Sequence, residues 1–460
     1  MNNAALFSQH FGNLQIAGAS LLILFAIGIS RFFKLNLGKD IFIASIRTTF
    51  QLIAVGYILR WLLHVDSLAS NLLVLLVMTL VAAQAIHSRL KDKTWKIYFA
   101  SVAALFGSVW PLGLVSIELF FGGAAFQESL FFIPFIGVLM GNALSSISLS
   151  FVGLERARKE NLLEIETFKA LGATPFEACH RLYNEVLRSA LTPIINGMTV
   201  VGIVSLPGVM AGQLIGGVDP LIAARFQILV MFLVCFTAMT GSLLAVFINH
   251  YFMMPSWLLP KHASLGFNFN AGDRVLLQGP SGVGKSRLLK SLVGLDVSSV
   301  RDNLKIQNGL ELTPVTENFT QYVPQKAFFV PGTALENLQL PYQFKKHQGE
   351  HYNPQFVSQS LSELGMSEDI LQKNAMTLSG GEGQIVHLLR SLQLDPHVLF
   401  LDEITAALDP QRAQKVEEFL TTWVSAKPQR SLVLISHRAE QAQHFANKVL
   451  TLENSQLILK

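Results

Sequence analysis

Long apolar runs dominate the first 253 residues, near positions 14–31, 41–60, 68–87, 97–120, 129–152, 190–214 and 224–249. A membrane-spanning helix needs roughly 20 predominantly apolar residues, so the pattern predicts seven spans. Span four contains Trp110-Pro111 and Gly113, and the count would fall to six if these helix-weakening residues interrupt it. Beyond residue 260 the apolar runs shorten and alternate with polar and turn residues, as in a globular domain. The expected architecture is an all-α polytopic membrane domain over residues 1–253, a short linker over 254–263 and an α/β domain over 264–460.

The connecting loops set the orientation. Loop one carries Arg31, Lys34 and Lys39; loop three carries Arg89, Lys91, Lys93 and Lys96; loop five carries Arg156, Arg158, Lys159, Lys169 and Arg181. Loops two, four and six are short and poor in Lys and Arg. The positive-inside rule then places the odd loops and the C-terminal domain in the cytoplasm and the N-terminus outside. These loops account for a net charge of +4 in a 460-residue chain that is 51% hydrophobic and 14% charged, so no nucleic-acid partner is expected. The N-terminal stretch MNNAALFSQHFGNLQ lacks the basic residues of a signal peptide, so the first span is expected to be retained. Cys179 falls in loop five and Cys235 in an apolar run, and the two are not expected to pair.

Several polar residues interrupt the spans. Arg47 lies about 10 Å inside span two at 1.5 Å per residue, with Gln51 on the same helix face. Either Arg47 snorkels to the lipid headgroups, or the pair faces the bundle interior and lines the inner mouth of a pathway. Span five carries Gly137 and Gly141 at GxxxG spacing, followed by Asn142, Ser145, Ser146 and Ser148. Span six carries Gly208, Gly212 and Gly216 beside Asn196, Ser205, Pro207 and Gln213. The glycines are expected to let helix backbones approach closely. Pro207 with its flanking glycines points to a broken or bent helix, tolerated where it is buried in protein or lines a cavity. For Asn142, Ser205 and Gln213, pathway lining and packing are both open readings.

Loop five, residues 153–189, is more organised than a plain connector. EIETFKALGATPFEACHRLYNEVLRSALTP reads as a helix, Gly172, a turn at Thr174-Pro175 that caps a second short helix, and a basic amphipathic helix leading into span six.

The C-terminal domain opens with a strand, a turn at Ala271-Gly272-Asp273, a second strand and then GPSGVGKS, residues 279–286. This is a complete phosphate-binding loop. Gly279, Pro280, Ser281, Gly282 and Gly284 shape a backbone that wraps phosphates, Lys285 reaches the β- and γ-phosphates, and Ser286 ligates Mg²⁺. VLFLDE delivers Asp402 for Mg²⁺ and Glu403 at the end of a hydrophobic strand. Between them lies LSGGEGQ, residues 378–384.

That signature ahead of the VLFLDE strand resembles the ABC ATPases. Gln325 in YVPQ matches the Q-loop glutamine, placed between metal and attacking water. Asp409 in AALD matches the D-loop aspartate and His437 in ISHR the switch histidine. The resemblance implies an α/β P-loop ATPase using ATP and Mg²⁺. In it Glu403 polarises the attacking water and His437 holds the γ-phosphate. Ser379, Gly380 and Gly381 open a helix whose N-terminus is an anion site, and in the family this site closes on nucleotide held by a second subunit. One chain has one such set, so a second copy of itself is the implied partner. Loop five resembles the coupling loop of ABC permeases, with Ala170 and Gly172 in its docking core. Two features depart from the family. Ile385 and Val386 replace the usual basic continuation, which would alter the surface of the signature helix. The leading strand looks short, leaving Trp257 or Phe267 as candidates to stack on adenine.

Over residues 15–250, the stretches RTTFQLIAVGYIL, IPFIGVLMGNAL, LGATPFEA and VGIVSLPGVMAGQLIGGVDP resemble the permease of Fet-type bacterial ABC exporters linked to iron homeostasis, with plant aluminium-tolerance permeases as relatives. LSGGEGQ and LQLDPHVLFLDEITAALD resemble the partner ATPase, so the chain looks like a fusion with the permease first. The resemblance implies a half-transporter in the bacterial inner membrane that exports a small solute or metal. The residues do not themselves show iron, since the spans hold no His, Cys or carboxylate cluster with ligand spacing. A sugar nucleotide stays open as substrate. A mechanical membrane ATPase and an importer are the alternative classes, and the short outer loops weigh against the first.

Overall fold

The computed structural model describes residues 13–62, 67–253, 264–267, 272–295, 305–306, 312–315, 320–436, 444–453 and 456–459. The chain divides into two compact units, one of residues 1–155 and 185–251, the other of residues 156–184 and 252–460. Most of loop five therefore belongs to the C-terminal unit.

The first unit is helical. Its elements are α1 (Asn13–Phe32), α2 (Gly38–Leu62), α3 (Leu68–Arg89), α4 (Trp95–Phe121), the first part of α5 (Ser129–Glu160), the second part of α7 (Pro175–Val200), α8 (Gly208–Ile215) and α9 (Pro220–Met253). Among the described residues, α2, α3, α4, α5 and α9 are long and apolar enough to cross a membrane, and α1 contributes the shorter apolar stretch Gly18–Phe32. Pro111 does not interrupt span four, because α4 runs unbroken for 27 residues.

Span six is broken. Helix α7 ends at Val200, and Gly202 takes φ +83° with its N–H on the Ser205 carbonyl at 2.9 Å. Pro207 then caps the eight-residue α8. The break expected at Pro207 is thus present: residues 190–214 are the end of one helix, a turn and a short second helix. Proline without an N–H and glycine with φ > 0 end a helix more readily than they continue it. The turn at Thr174-Pro175 starts α7 as expected. From there α7 runs as one 26-residue helix, where the sequence suggested a short helix and then another.

Close helix approach occurs at other glycines than those expected. A Cβ on Gly113 would stand 2.4 Å from Ile136 Cδ1, one on Gly107 2.9 Å from Leu244 Cδ1, and one on Gly241 3.0 Å from Ile147 Cδ1. These positions bring α4, α5 and α9 together around buried Leu105, Val109, Ile117, Ile136, Leu139 and Ile147. Gly141, Gly208 and Gly212 face open space, and Gly137 meets only the tip of Met78 at 3.5 Å. Spacing marks a small-residue face; whether another helix covers that face is decided by the packing.

The second unit is α/β. It holds α6 (Leu162–Ala170), the first part of α7, β1 (Ser264–Phe267), β2 (Arg274–Gln278), α10 (Lys285–Leu292), β3 (Lys305–Ile306), β4 (Leu312–Val315), β5 (Thr320–Val323), α11 (Ala334–Gln339), α12 (Pro354–Glu363), α13 (Gly380–Leu392), β6 (Val398–Asp402), α14 (Pro410–Ser425), β7 (Ser431–Ile435), β8 (Lys448–Glu453) and β9 (Gln456–Leu459). Among the described residues, seven strands form one sheet in the order β3-β9-β8-β2-β7-β6-β5, parallel except for the β8–β9 pair, while β1 and β4 make a separate antiparallel ribbon. The central strands are buried on both faces, as parallel sheets require. Val275, Leu277, Phe400 and Val433 pack toward α10, and Leu276, Leu399, Leu401 and Leu434 pack into the cluster that includes α13 and α14. Ile385 and Val386 are 1% and 0% exposed in that second cluster. Their apolar character fills the core, so the altered surface expected for this helix does not arise from them.

Candidate active site

The site gathers at the carboxyl ends of β2, β5, β6 and β7, where open parallel sheets place their ligands. After β2 the chain turns through Gly279–Gly284 into α10. Gly282 and Gly284 take φ of +80° and +102°, left-handed values that glycine adopts without cost. At Gly279 a Cβ would lie 2.4 Å from the Leu452 carbonyl oxygen. Pro280 and Ser281 are exposed on the loop, and the Lys285 ammonium curls over it, donating to the carbonyls of Gly279 at 2.9 Å and Pro280 at 3.0 Å. A glycine loop, a helix N-terminus and a lysine on the same turn make an anion cradle.

Asp402 ends β6 with both oxygens engaged: Ser286 Oγ donates to Oδ1 at 3.0 Å and Tyr322 Oη to Oδ2 at 2.9 Å. The next residue, Glu403, is 8% exposed and sits at φ +53°, with its N–H on the Ile435 carbonyl. Gln325 donates from Nε2 to Glu403 Oε2, and Gln384 from α13 donates to the Gln325 carbonyl. The hydroxyl of Ser286, the carboxylate of Asp402 and the amide oxygen of Gln325 are hard oxygen ligands of the kind Mg²⁺ takes, so the residues present fit that ion.

Ser379 is the N-cap of α13 in a capping box with Glu382. The hydrogen bond from Lys373 and those made with Ser379 hold the Glu382 carboxyl down at about 2. Gly380 and Gly381 lie against the loop ahead of α14, with a Cβ on Gly381 3.2 Å from Leu408 Cδ2 and one on Gly380 3.5 Å from Ala407 Cβ. Asp409 caps α14 through Arg412 N–H at 2.9 Å. The structure thus links Lys285, Ser286, Gln325, Asp402 and Glu403 within one site, and sets Ser379, Gly380, Gly381 and Asp409 beside each other at two adjoining helix starts. His437 and Trp257 lie outside the described residues, as does the side chain of Phe267.

Loop five is docked within this unit. Helix α6 packs beside β5, and Ala170 packs against the apolar cluster that contains Leu288, Tyr322 and Phe400. Phe168 meets Phe328 and Phe344 edgewise or tilted, each at 5.8 Å between ring centroids. Lys290 of α10 pairs with Glu166 at 2.8 Å, and Glu164 of α6 pairs with Arg181 of α7. Gly172 takes φ +96°, and a Cβ there would stand 2.7 Å from His347 Nε2 and 2.8 Å from Lys346 Cδ. Sequence patterns point to Ala170 and Gly172 but not to their partners or to Tyr322. The run KKH carries no motif, and Glu164 and Glu166, both acidic on a helix with five apolar residues, are the visible hints of a pairing.

The family described as "Uncharacterised protein family (UPF0014)" matches residues 13–253, and the ABC transporter family matches residues 263–406. The chain belongs to UPF0014, with an ABC transporter ATPase fused behind it. Its UPF0014 half is 32% identical over 243 residues to the "Probable iron export permease protein FetB" of Escherichia coli, covering 53% of this chain and 92% of that one. The ATPase half is 35% identical over 194 residues to the "Probable iron export ATP-binding protein FetA" of the same organism, covering 41% of this chain and 83% of that one. The protein ALUMINUM SENSITIVE 3 of Arabidopsis thaliana is 29% identical over 238 residues, covering 52% and 85%.

In the UPF0014 half the expected pathway residues do not converge within a single chain. Arg47 and Gln51 are exposed on α2, none of whose membrane window is buried. Of the two readings, the interior one is not provided by a single chain, whose bundle core forms around α4, α5 and α9. Ser205 is exposed in the turn of the broken span, and Asn142 donates back to the Val138 carbonyl of its own helix. Gln213 lines a cavity of about 160 Å³ with Phe131, Phe135 and Phe226, where its Oε1 is buried without a hydrogen-bond partner among the described residues.

Proposed function

We propose that the chain is one half of an ATP-driven exporter that works as a homodimer in the bacterial inner membrane, with the ATPase unit in the cytoplasm and the N-terminus outside. A fused permease and ATPase, with the permease's own loop seated on the ATPase beside Tyr322 and Lys290, is the observation that carries this reading. Iron is the substrate to test first, because the relatives of both halves are named for iron export. A nucleotide sugar is the second.

In this reading the Gly279–Gly284 backbone and Lys285 hold the phosphates of ATP, and Ser286, Asp402 and Gln325 hold Mg²⁺, which would neutralise phosphate charge when bound. Glu403 takes a proton from the attacking water. What supports this role is that Gln325 donates to one carboxylate oxygen and the Glu403 N–H is held on the Ile435 carbonyl. Ser379, Gly380 and Gly381 of the second copy complete each site, with Asp409 at the junction, and the motif assigns His437 to the γ-phosphate. Arg47, Gln51, Asn142, Ser205 and Gln213 remain the pathway candidates, with a second copy covering the exposed faces of α2 and α8. Uptake into inverted membrane vesicles, measured with ATP for ferrous iron, other divalent metals and nucleotide sugars, tests the reading. ATP hydrolysis with no accumulation of any of these solutes would remove the exporter assignment.

A further inference from the structure

We propose that Tyr322 is a positioning residue of the ATP site, its phenol fixing the Asp402 carboxylate in the orientation that receives the metal. The inference rests on the ATP-hydrolysis reading above. A carboxylate turns easily about its last side-chain torsion, which is broad and roughly two-fold. Asp402 is denied that freedom because donors hold both oxygens, Ser286 at 3.0 Å and Tyr322 at 2.9 Å. The two donors are not equivalent. The Ser286 hydroxyl is itself an expected metal ligand, whereas the Tyr322 hydroxyl has Asp402 as its partner.

Tyr322 is 2% exposed, and its strand runs beside β6 with Tyr322 opposite Phe400. Its ring packs with Leu288, Leu289 and Phe400 in the cluster against α10. A ring packed this way delivers its hydroxyl to one place. The hydroxyl donates to Asp402 from inside that packing. Helix α6 of the docked loop packs beside β5, and Ala170 packs against the cluster that holds the ring. The ring therefore stands where the seated loop and the metal ligand meet. The competing account is that Asp402 merely satisfies a buried hydroxyl, with the ring serving only as core.

Full-length protein in lipid nanodiscs separates the two. Tyr322→Phe removes one oxygen and keeps the ring. The expected result is unchanged binding of a fluorescent ATP analogue in EDTA, and a rise of roughly tenfold in the Mg²⁺ concentration for half-maximal hydrolysis, the effect of losing one hydrogen bond to a charged group. Turnover at saturating Mg²⁺ should stay within about threefold. Electron paramagnetic resonance of Mn²⁺ bound with ATP should show the same loss of metal affinity without reference to turnover. An unchanged Mg²⁺ requirement overturns the proposal, and so does a fall in turnover at every Mg²⁺ concentration with the half-saturation point unmoved. Should Tyr322→Phe fail to fold, 4-fluorophenylalanine introduced at position 322 fills the volume of the hydroxyl, cannot donate, and gives the same readouts. Failure of the ATP-hydrolysis reading would look different, since wild-type protein would then show no Mg²⁺-dependent hydrolysis.

Discussion

His347 donates from Nε2 to the backbone carbonyl of Leu171 at 2.9 Å, while its Nδ1 faces Glu350 Oε2 at 2.9 Å. The imidazole is 5% exposed, and it closes over Gly172, the next residue of the docked loop. A side chain at 172 is therefore opposed twice, by the left-handed backbone and by the ring. Gly172→Trp is expected to unseat loop five, leaving basal ATP hydrolysis but abolishing the solute transport that depends on it. Normal transport by this variant would show that the loop does not couple the halves.

Glu403→Gln keeps the size of the side chain and a hydrogen bond to Gln325 while removing the base. The expected outcome is retained Mg²⁺-ATP binding with hydrolysis reduced by roughly 10²- to 10⁴-fold, the range for a lost general base. Turnover near wild type would move the role elsewhere.

Ser379 and Lys285 of one chain are assigned to different composite sites. Mixing Lys285→Ala chains with Ser379→Arg chains should give heterodimers with one doubly defective and one intact site, so activity should exceed that of either variant alone. Mass measurement showing an active monomer would refute the arrangement. Ser379→Arg also removes a helix cap, costing about 1 kcal/mol, so its melting temperature needs to be measured alongside.

Arg47 is exposed on α2 of the single chain, which sharpens its two readings. If lipid is its partner, Lys replaces it without loss. If a second copy covers that face, the planar fork of the guanidinium makes bonds Lys cannot repeat. Arg47→Lys and Gln51→Leu are each expected to impair transport while insertion and ATP binding persist. Wild-type transport by Arg47→Lys would return the residue to a lipid anchor.

Glu177 ties the start of α7 to the ATPase. It accepts from Thr174 N and Oγ1 at 2.8 and 2.7 Å and from Lys345 N at 3.0 Å. Burial favours the neutral acid, but these donors outweigh it and hold the carboxyl below its ordinary value. A depressed pKa gives stabilisation that is complete above the unfolded value of about 4.3 and is lost as pH falls through the folded value. Glu177→Ala should lower the melting temperature at pH 7, and the gap to wild type should narrow below about pH 4. A gap independent of pH would mean that the charge is not what holds the contact.

The ATP constellation and the two-part organisation are legible in one dimension. A phosphate loop is contiguous, and its glycines, lysine and serine are fixed by short-range backbone geometry, so Gly279–Ser286 reads the same along the chain as in the fold. Span lengths and the breaking power of Pro207 with its flanking glycines are equally local. The covering of each face, by contrast, emerges only when the elements pack. The bonds that seat loop five join residues far apart in the chain: Lys290 and Glu166 are separated by 124 positions, and His347 and Leu171 by 176. Tyr322 reaches Asp402 across 80. No local pattern marks such pairs, because either partner alone is an ordinary surface charge or core ring. Glycine spacing likewise showed which faces of α5 and α8 are small. The packing of α4, α5 and α9 settled that a neighbouring side chain approaches closely at Gly107, Gly113 and Gly241, since steric crowding belongs to the neighbour that approaches and not to the residue that yields.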